Sequence, residues 1–254
     1  MILDAFRLDG AVALVTGASA GLGAAMAVAL AEAGADVAAH GNSRSVSDTC
    51  ARIAALGRRT APLTGDLAER TTSARLVDDA IAQLGRLDIL INNAGTIRRA
   101  AAADVTDEDW DRVIEVNVTS AFRLARAAGR HMLGVGRGGR IINIVSLLSF
   151  QGGINVPAYA AAKSGLAQLT RALANEWASS GINVNAIAPG YMETDNTMAL
   201  RADPVRSRQI LERIPAGRWG APTDLAGAAV FLASPAARYV HGHVLVVDGG
   251  WMGR

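Results

Sequence analysis

A chain of 254 residues is long enough to fold as one α/β domain around a single large core. Half of its residues are hydrophobic but only 4% are aromatic, so Ala, Val, Ile and Leu are expected to build most of that core. The formal net charge of +2 comes from 25 basic and 23 acidic residues that are intermixed along the chain, which argues against a nucleic-acid-binding protein.

The sequence carries no signal for export or for membrane insertion. Asp4 follows the start with no preceding cationic residue, so we expect no signal peptide. The uncharged stretch between Arg140 and Lys163 is long enough to cross a bilayer, but polar residues, glycines and a proline interrupt it, and we expect a soluble protein. The single Cys50 excludes an internal disulfide and fits the reducing cytoplasm.

The first predicted unit is a strand, a glycine-rich turn and a helix. Residues 11–15 form an apolar run of strand length, the turn Thr16-Gly17-Ala-Ser-Ala-Gly21-Leu-Gly23 follows, and an Ala-rich helix extends to about Ala33. Such a turn lets the backbone approach a pyrophosphate, which the helix N-terminus then stabilises. The pattern therefore predicts a nucleotide-binding βαβ unit, with a purely structural turn as the alternative.

The end of the second predicted strand, residues 36–40, bears on the choice of cofactor. An acidic residue there would bind the ribose 2′-hydroxyl of NAD and repel the 2′-phosphate of NADP, and the sequence has none. Ser43 and Arg44 could hold a phosphate, although Arg44 is equally compatible with a solvated position. The sequence therefore favours NADP slightly over NAD.

The next elements alternate as an α/β fold requires. A helix over residues 46–56, a strand over 60–64 and a strand over 87–91 are predicted, with Gly85 ending the helix before the last of these. Asp66 comes just after a strand and could also cap a helix that starts near Glu69. The turn Asn92-Asn93-Ala94-Gly95 follows the fourth strand.

A long helix is predicted to open at Asp107, because acids in the first turn interact favourably with the helix dipole. Asn117 lies inside it, although Asn is a poor helix former whose side chain competes for backbone hydrogen bonds. This Asn is either incidental or functional. A Gly-rich loop over residues 134–139 and a buried strand over 141–145 are expected to follow.

The segment from Ser146 to Lys163 carries the most chemistry. Pro157 favours the first turn of a helix, which places Tyr159 and Lys163 on one face about 6 Å apart along its axis. An ammonium beside a phenol favours the phenolate, so we expect Lys163 to lower the pKa of Tyr159. Ser146 follows a strand, where an α/β sheet presents its functional groups, and is predicted to face this pair.

The last third is expected to complete the sheet. The helix after Lys163 is predicted to reach about residue 179, and strands are predicted over 182–187 and 244–247, with a helix over 224–233 between them. His241 and His243 are close enough in sequence to chelate a metal, but ordinary satisfied or exposed histidines are favoured, so no metal site is predicted.

Three motifs occur in order: the Thr16–Gly23 turn, the Asn92–Gly95 turn, and Tyr159-x-x-x-Lys163. A Tyr four residues before a Lys is common by chance, and the combination is what is specific. Over essentially the whole chain it resembles the short-chain dehydrogenase/reductase family in its classical form. The resemblance implies a single-domain α/β Rossmann fold over residues 1–254. It has a doubly wound parallel sheet of about seven strands, helices on both faces and a lid at about 191–219.

The resemblance also implies the site residues. The catalytic set would be Asn117, Ser146, Tyr159 and Lys163, in which Asn117 helps to hold a water that joins Lys163 to bulk solvent. The dinucleotide, NADP or NAD, would be bound by Gly17, Ser19, Ala20, Gly21, Leu22, Gly23, Ser43, Arg44, Asp66, Leu67, Asn93, Ala94, Gly95, Tyr159, Lys163, Pro189, Gly190 and Thr194.

Several local strings, such as Asn92-Asn-Ala-Gly-Thr-Ile-Arg98-Arg99, resemble the sugar-acid branch of the family. The implied reaction is hydride transfer between NAD(P) and a secondary alcohol or ketone, of the 2-dehydro-3-deoxy-D-gluconate or 2-deoxy-D-gluconate type. A sugar acid needs a cation for its carboxylate and hydrogen-bonding groups for its hydroxyls. The candidate substrate residues are Ser146, Gln151, Tyr159, Arg98, Tyr191 and Arg201, although each arginine could equally be surface charge.

Alternatives remain open at this level. Within the same chemistry they are a gluconate 5-dehydrogenase and a 3-oxoacyl-carrier-protein reductase, and the latter would need a basic surface and an apolar channel. A non-catalytic dinucleotide-sensing protein is a third, which would normally show a broken Ser–Tyr–Lys set. The resemblance further implies a homotetramer whose partner is a small-molecule substrate rather than a nucleic acid or a membrane.

Overall fold

The computed structural model describes all 254 residues, and one sheet organises them. Its seven strands run parallel in the order β3-β2-β1-β4-β5-β6-β7. This is the predicted single-domain, doubly wound α/β fold. The strands are β1 (Val12–Val15), β2 (Asp36–Gly41), β3 (Thr60–Thr64), β4 (Ile89–Asn92), β5 (Gly139–Ile144), β6 (Ile182–Pro189) and β7 (Val244–Val247).

Helices cover both faces of the sheet, as parallel strands that are apolar on both faces require. A cluster containing Met26, Ile53 and Leu232 packs on one face, and a cluster containing Leu76, Leu124 and Leu173 packs on the other. The helices are α1 (Gly21–Glu32), α2 (Ser47–Ala55), α3 (Thr72–Leu84), α4 (Asp107–Ile114), α5 (Ser120–Val135), α6 (Pro157–Trp177), α7 (Met198–Ala202), α8 (Pro204–Arg213) and α9 (Ala226–Ala233). None of them combines the length and the apolar character needed to cross a bilayer.

The strand order places the functional loops at one edge. The chain leaves β1 in one direction for β2 and β3 and later returns on the other side as β4, so the crevice at the carboxyl ends of β1 and β4 is the topological switch point. Ligands of open α/β sheets bind in this crevice. The Gly-rich turn after β1, the Asn93–Gly95 turn after β4 and Ser146 after β5 all lie at this edge.

The bounds of β4 and β5 differ by one or two residues at each end from the strands predicted over 87–91 and 141–145. Four further differences concern the helices and the loop between them. The long helix with Asn117 is split by a π-helical turn, Glu115–Thr119, between α4 and α5. The predicted Gly-rich loop is shorter, because α5 continues through Gly134 to Val135 and is followed by Gly136 in the left-handed conformation (φ +69°). The helix after Lys163 ends at Trp177, and its last predicted turn is a 3-10 helix, Ala178–Ser180. The helix predicted over 224–233 begins instead as a 3-10 turn, Pro222–Leu225, before α9.

Residues 191–219 contribute no strand to the sheet. They contain a 3-10 helix, Asp195–Thr197, followed by α7 and α8. Pro204 begins α8 behind an Asp203 side chain that accepts hydrogen bonds from the backbone nitrogens of Val205 and Arg206, a capped start of the expected type. Ile210 and Ile214 anchor the segment beside Trp219 and Trp251 in a small apolar cluster.

Candidate active site

Ser146 begins the loop that follows β5. Its backbone is extended, and its Oγ accepts a hydrogen bond of 3.2 Å from the Leu148 nitrogen at the start of a 3-10 helix, Leu147–Ser149. The Ser149 hydroxyl donates to the Lys163 carbonyl at 2.8 Å and so ties this loop to α6. Because Ser146 Oγ accepts from the backbone, its own proton remains available for a second partner.

Tyr159 and Lys163 project from the first two turns of α6, as predicted. The Lys163 Nζ lies 5.6 Å from the centre of the Tyr159 ring and donates to the Ile144 carbonyl at 2.7 Å. Lys163 is buried, whereas Tyr159 is partly buried. The structure thus brings Ser146, Tyr159 and Lys163 together at the end of β5.

The pKa values differ from the expectation. Burial raises the pKa of Tyr159 above its ordinary value of 10.0, against smaller lowering effects of a hydrogen-bonding interaction with Ser146 and of the Arg99 cation. Burial lowers the pKa of Lys163 to about 8. The expected lowering of the Tyr159 pKa by Lys163 is absent, because the ammonium is held at a strand carbonyl and not at the phenol oxygen.

Asn117 occupies the π-helical turn, and its side chain explains that irregularity. Its Nδ2 donates to the Thr96 carbonyl at 2.8 Å and to the Val113 carbonyl at 2.9 Å. Its Oδ1 is buried and has no partner within the protein. A π turn often marks a functional site, and an unsatisfied buried acceptor marks a place for a further donor.

Gly95 shows how close Asn117 lies to Lys163. A β-carbon added at Gly95 would stand 2.6 Å from Asn117 Oδ1 and 3.6 Å from Lys163 Nζ. Only glycine leaves room for both side chains there. Asn117 therefore shares the neighbourhood of Lys163, as expected for a member of the same site.

The Gly-rich turn is held from beneath by the Asn92–Gly95 turn. Asn93 Nδ2 donates to the Thr16 carbonyl at 2.8 Å, and Thr16 Oγ1 accepts from the backbone nitrogens of Asn93 and Ala94, each at 3.0 Å. A β-carbon at Gly23 would meet the Gly17 carbonyl oxygen at 2.2 Å, so this close packing requires glycine.

This turn fits a dinucleotide. No side chain caps the N-terminus of α1, so its first backbone N–H groups are free to bind a phosphate. A β-carbon at Gly21 would lie 3.5 Å from the Thr194 methyl group, which places Thr194 over the turn. Pro189 ends β6, and Gly190 lies against Asp248, where a β-carbon would clash with the backbone at 2.6 Å.

Asp66 has partners that the sequence did not suggest. Its Oδ1 accepts from the Ala68 nitrogen at 2.9 Å, and both oxygens accept from Arg112 Nη2 at 3.0 and 3.2 Å. These contacts, the Ala68 hydrogen bond first, lower the pKa of Asp66. The alternative of a helix cap is wrong, because α3 begins only at Thr72 and Asp66 caps a turn instead. The neighbouring Leu67 side chain is buried, which leaves only its backbone to face a ligand.

The residues after β2 lie at the surface. Ser43 is exposed, and Arg44 Nη1 pairs with Asp195 Oδ2 at 3.1 Å. His40, the residue before the end of β2, is fully buried instead. Its Nε2 lies 2.9 Å from the Gly65 carbonyl oxygen, and the Gly17 nitrogen donates to Nδ1 at 3.5 Å. Sequence reasoning missed this link between two cofactor loops, since an isolated His gives no signal for it.

The candidate substrate residues separate into two groups. Gln151 accepts from the Trp251 indole at 3.1 Å, and the Tyr191 ring packs against Trp251 at 4.6 Å between centroids. Arg98 pairs with Asp109 at 3.2 Å, and Arg201 is exposed without an ion pair.

Arg99 is the arginine that reaches the site. Its cation lowers the pKa of Tyr159, and its Nη2 donates to the Asn196 carbonyl at 3.1 Å. Arg98, the predicted residue of this adjacent pair, instead pairs with Asp109, and its role toward a substrate stays a prediction. The Arg98-Arg99 string itself was the available signal, but sequence cannot tell which side chain turns inward.

His241 is engaged within the fold. Its Nε2 lies 3.1 Å from Asn183 Nδ2 on β6, and no group of three or more metal-ligating side chains is present in the structure.

The chain is similar in sequence and in fold to several known proteins. A sequence model for the family described as enoyl-(acyl carrier protein) reductase matches residues 17–252. The 2-dehydro-3-deoxy-D-gluconate 5-dehydrogenase of Escherichia coli K12 is 54% identical over the full length of both chains. A structure from Agrobacterium tumefaciens, provisionally assigned as a 2-deoxy-D-gluconate 3-dehydrogenase with bound NADP, is 54% identical, covers 98% of this chain and 99% of its own, and has a TM-score of 0.93.

A third relative comes from Beutenbergia cavernae. It is provisionally assigned as an NAD(P)-dependent gluconate 5-dehydrogenase with NADP bound at low occupancy. The two proteins are 50% identical, with coverage of 98% of this chain and 100% of the other and a TM-score of 0.94.

Proposed function

Because the chain belongs to the short-chain dehydrogenase/reductase family, we propose that it is an NAD(P)-dependent 2-dehydro-3-deoxy-D-gluconate 5-dehydrogenase. Such an enzyme interconverts a secondary alcohol and a ketone on a sugar acid. The observation that carries the proposal is the identity of 54% to the E. coli enzyme over the whole of both chains. The intact set of Ser146, Tyr159 and Lys163 at one strand end supports the reaction class.

The chemistry divides between the cofactor and the chain. A nicotinamide, when bound, accepts or supplies the hydride. Tyr159 takes the hydroxyl proton in oxidation and returns it in reduction, while Ser146 holds the substrate oxygen with its free proton. General acid–base assistance of this kind contributes about 10²–10⁴-fold. Because burial raises the Tyr159 pKa, the phenol is protonated at neutral pH and is ready to act as an acid on a ketone.

The predicted cofactor residues support a dinucleotide along the switch-point crevice. The uncapped start of α1, Gly21 to Gly23, offers backbone N–H groups to the pyrophosphate, and Asn93 supports the turn before it through hydrogen bonds to the Thr16 and Gly17 carbonyls. Asp66 would face the adenine, with Arg112 fixing its carboxylate. The end of β2 has no acid to repel a 2′-phosphate, and Arg44 in the loop after it could bind one. We therefore propose that NADP is accepted alongside NAD.

We assign the substrate carboxylate to Arg99. A guanidinium recognises a carboxylate in a bidentate geometry, and this one lies near enough to influence the Tyr159 phenol. Gln151 and Tyr191 remain the candidate partners of the sugar hydroxyls, both beside the buried Trp251. Residues 191–219 act as the lid over this substrate.

Two surface features support a homotetramer. All four residues of β7, which forms an edge of the sheet, are only partly buried although they are Val or Leu. Trp110 on α4 and Phe122 on α5 are also exposed. Large apolar patches of this kind mark protein interfaces, and light scattering should give about four times the 26.2 kDa chain mass. We place the enzyme in the cytoplasm, where its unpaired Cys50 would stay reduced.

The deciding experiment is an NADH and NADPH oxidation assay with a panel of ketones. The proposal expects the highest kcat/KM for the 2,5-diketone that forms when the C5 hydroxyl of 2-dehydro-3-deoxy-D-gluconate is oxidised, with reduction at C5. Faster reduction of 5-dehydro-D-gluconate would favour a gluconate 5-dehydrogenase, and faster reduction of an acetoacetyl thioester would favour a carrier-protein reductase. Cofactor binding without turnover on any ketone would leave only a sensing role.

A further inference from the structure

An ion pair joins the first part of the lid, residues 191–219, to the loop after β2. Arg44 Nη1 and Asp195 Oδ2 are 3.1 Å apart, although the two residues are separated by 151 positions in the sequence. Arg44 follows the end of β2, and Asp195 is the first residue of the lid's 3-10 helix. Their side chains are 63% and 83% exposed, so both remain reachable from solvent.

The two residues beside Asp195 in the chain, Thr194 and Asn196, also contact other parts of the protein. The Thr194 methyl lies over the Gly-rich turn, 3.5 Å from where a β-carbon of Gly21 would be. On the other side, Arg99 donates to the Asn196 carbonyl at 3.1 Å. Asp195 is therefore set at the switch-point crevice, next to the loop after β2 that the proposed dinucleotide site would place beside the adenosine ribose.

NADP differs from NAD by the 2′-phosphate on its adenosine ribose, and Arg44 and Asp195 would act on that phosphate in opposite directions. Arg44 is the only charged residue between Gly41 and Val46, so no acid of its own loop competes for it. The Asp195 carboxylate occupies its Nη1 and would repel a 2′-phosphate dianion that approached the same guanidinium. A ribose 2′-hydroxyl, in contrast, could donate to that carboxylate.

We propose that Asp195 weakens the binding of NADP relative to NAD in this protein, by supplying from the lid the acid that the end of β2 lacks. This inference rests on the proposed function, since it takes the dinucleotide site as given. Asp195 disfavours the 2′-phosphate, Arg44 favours it, and their pairing leaves both cofactors acceptable. Cofactor preference is thus coupled to the position of the lid.

The test is fluorescence titration of NADPH and NADH into the full-length protein without substrate. Asp195→Asn should tighten NADPH binding about three- to tenfold, as expected for removing one exposed like charge near a phosphate, and should leave NADH binding unchanged or slightly weaker. The gain should shrink at high salt, because exposed charges are screened.

Matched variants make the result specific. Glu193→Gln removes an exposed acid two residues earlier, one whose charge acts on Arg218, and should leave the ratio of the NADPH and NADH affinities unchanged. Arg44→Gln should weaken NADPH binding, and adding Asp195→Asn to it should restore little of the loss. Thermal unfolding of each variant checks that the fold is intact.

An equal change for both cofactors in Asp195→Asn, or a weaker affinity for NADPH, would overturn the proposal. The same gain in Glu193→Gln would also overturn it, since the effect would then be one of net charge. Because these titrations involve no sugar acid, their failure is distinguishable from failure of the proposed function, which the ketone panel decides.

Discussion

The Lys163 ammonium donates its hydrogen bond of 2.7 Å to the carbonyl of Ile144, the last residue of the strand that leads to Ser146. The cation is therefore fixed by the sheet, and its distance from the Tyr159 ring centre is 5.6 Å. Burial in this position lowers the pKa of Lys163 to about 8 while it raises that of Tyr159. Lys163 therefore loses its proton at a lower pH than Tyr159 does, although an ordinary phenol has a lower pKa than an ordinary ammonium.

Lys163 should consequently set the alkaline limit of ketone reduction. The rate needs a protonated Tyr159, which persists well above neutrality, whereas the Lys163 charge is lost as the pH rises through about 8. We expect kcat/KM for the reduced cofactor, which reports on the free enzyme, to fall above that pH. In Lys163→Arg the guanidinium stays charged, so we expect a lower kcat/KM that does not decline over the same pH range. A wild-type profile that stays level to pH 10 would contradict the assignment.

The sequence was sufficient for the sheet because its strands are short apolar runs bounded by turn residues. The bounds of β3 and β7 agree with the prediction at both ends, and Pro157 and Gly85 mark the ends of their helices as expected. The π turn at Asn117 was not predictable in this way. An Asn inside a helix indicates a local conflict, but its resolution depends on the Thr96 carbonyl, which belongs to another loop.

The arrangement of Tyr159 and Lys163 was predictable from the sequence, and their pKa values were less so. Spacing alone placed Tyr159 and Lys163 on one face of α6, since helical geometry fixes that relationship. The Tyr159 pKa depends on desolvation, which no spacing encodes. The choice between Arg98 and Arg99 likewise depends on tertiary partners, Asp109 for one and Asn196 for the other.

Tyr159→Phe should retain the fold and the affinity for dinucleotide but lose turnover by about 10²–10⁴-fold. The substitution removes only the hydroxyl that carries the proton, and general acid–base catalysis typically contributes that amount. Steady-state assays together with cofactor titration measure the two effects separately. Turnover within tenfold of the wild type would exclude Tyr159 as the proton donor.

Arg99→Met should raise KM for sugar acids by about 10- to 100-fold, because a hydrogen bond to a charged group contributes about 1.5–3 kcal/mol. The KM for an uncharged ketone should change little, since no carboxylate is then recognised. Arg98→Met is the matched control, because it removes the neighbouring guanidinium, which pairs with Asp109. Equal losses in the two variants would remove Arg99 from carboxylate binding.

Gly95→Ala should impair turnover through Asn117. The added β-carbon would stand 2.6 Å from Asn117 Oδ1, so the amide must move and weaken its hydrogen bonds to Thr96 and Val113. A misplacement of about 1 Å at a catalytic site can reduce the rate about a hundredfold. Gly152→Ala, where nothing lies within 4 Å of the added carbon, serves as the control. Unchanged kcat in Gly95→Ala would show that the Asn117 position does not matter.

His40 should make the fold less stable in mild acid. Burial is the main cause that lowers the pKa of this imidazole below its ordinary 6.5, with the Arg75 cation adding to it and the Gly65 hydrogen bond and Asp66 opposing it. The unfolded chain then binds more protons than the native state between the lowered pKa and 6.5, so the free energy of unfolding rises with pH across that window.

The physical reason is the link that His40 makes between the Gly17 turn and the Gly65 loop. With Nε2–H directed at the Gly65 carbonyl, neutral Nδ1 can accept from the Gly17 nitrogen, and a protonated ring cannot. His40→Gln should therefore flatten this part of the stability profile, measured by urea unfolding from pH 5 to 7.5, whereas His131→Gln on α5 should not. Cofactor affinity should weaken in parallel at acid pH in the wild type, because the Gly17 turn binds the pyrophosphate. A parallel pH dependence of stability in wild type and His40→Gln would contradict this account.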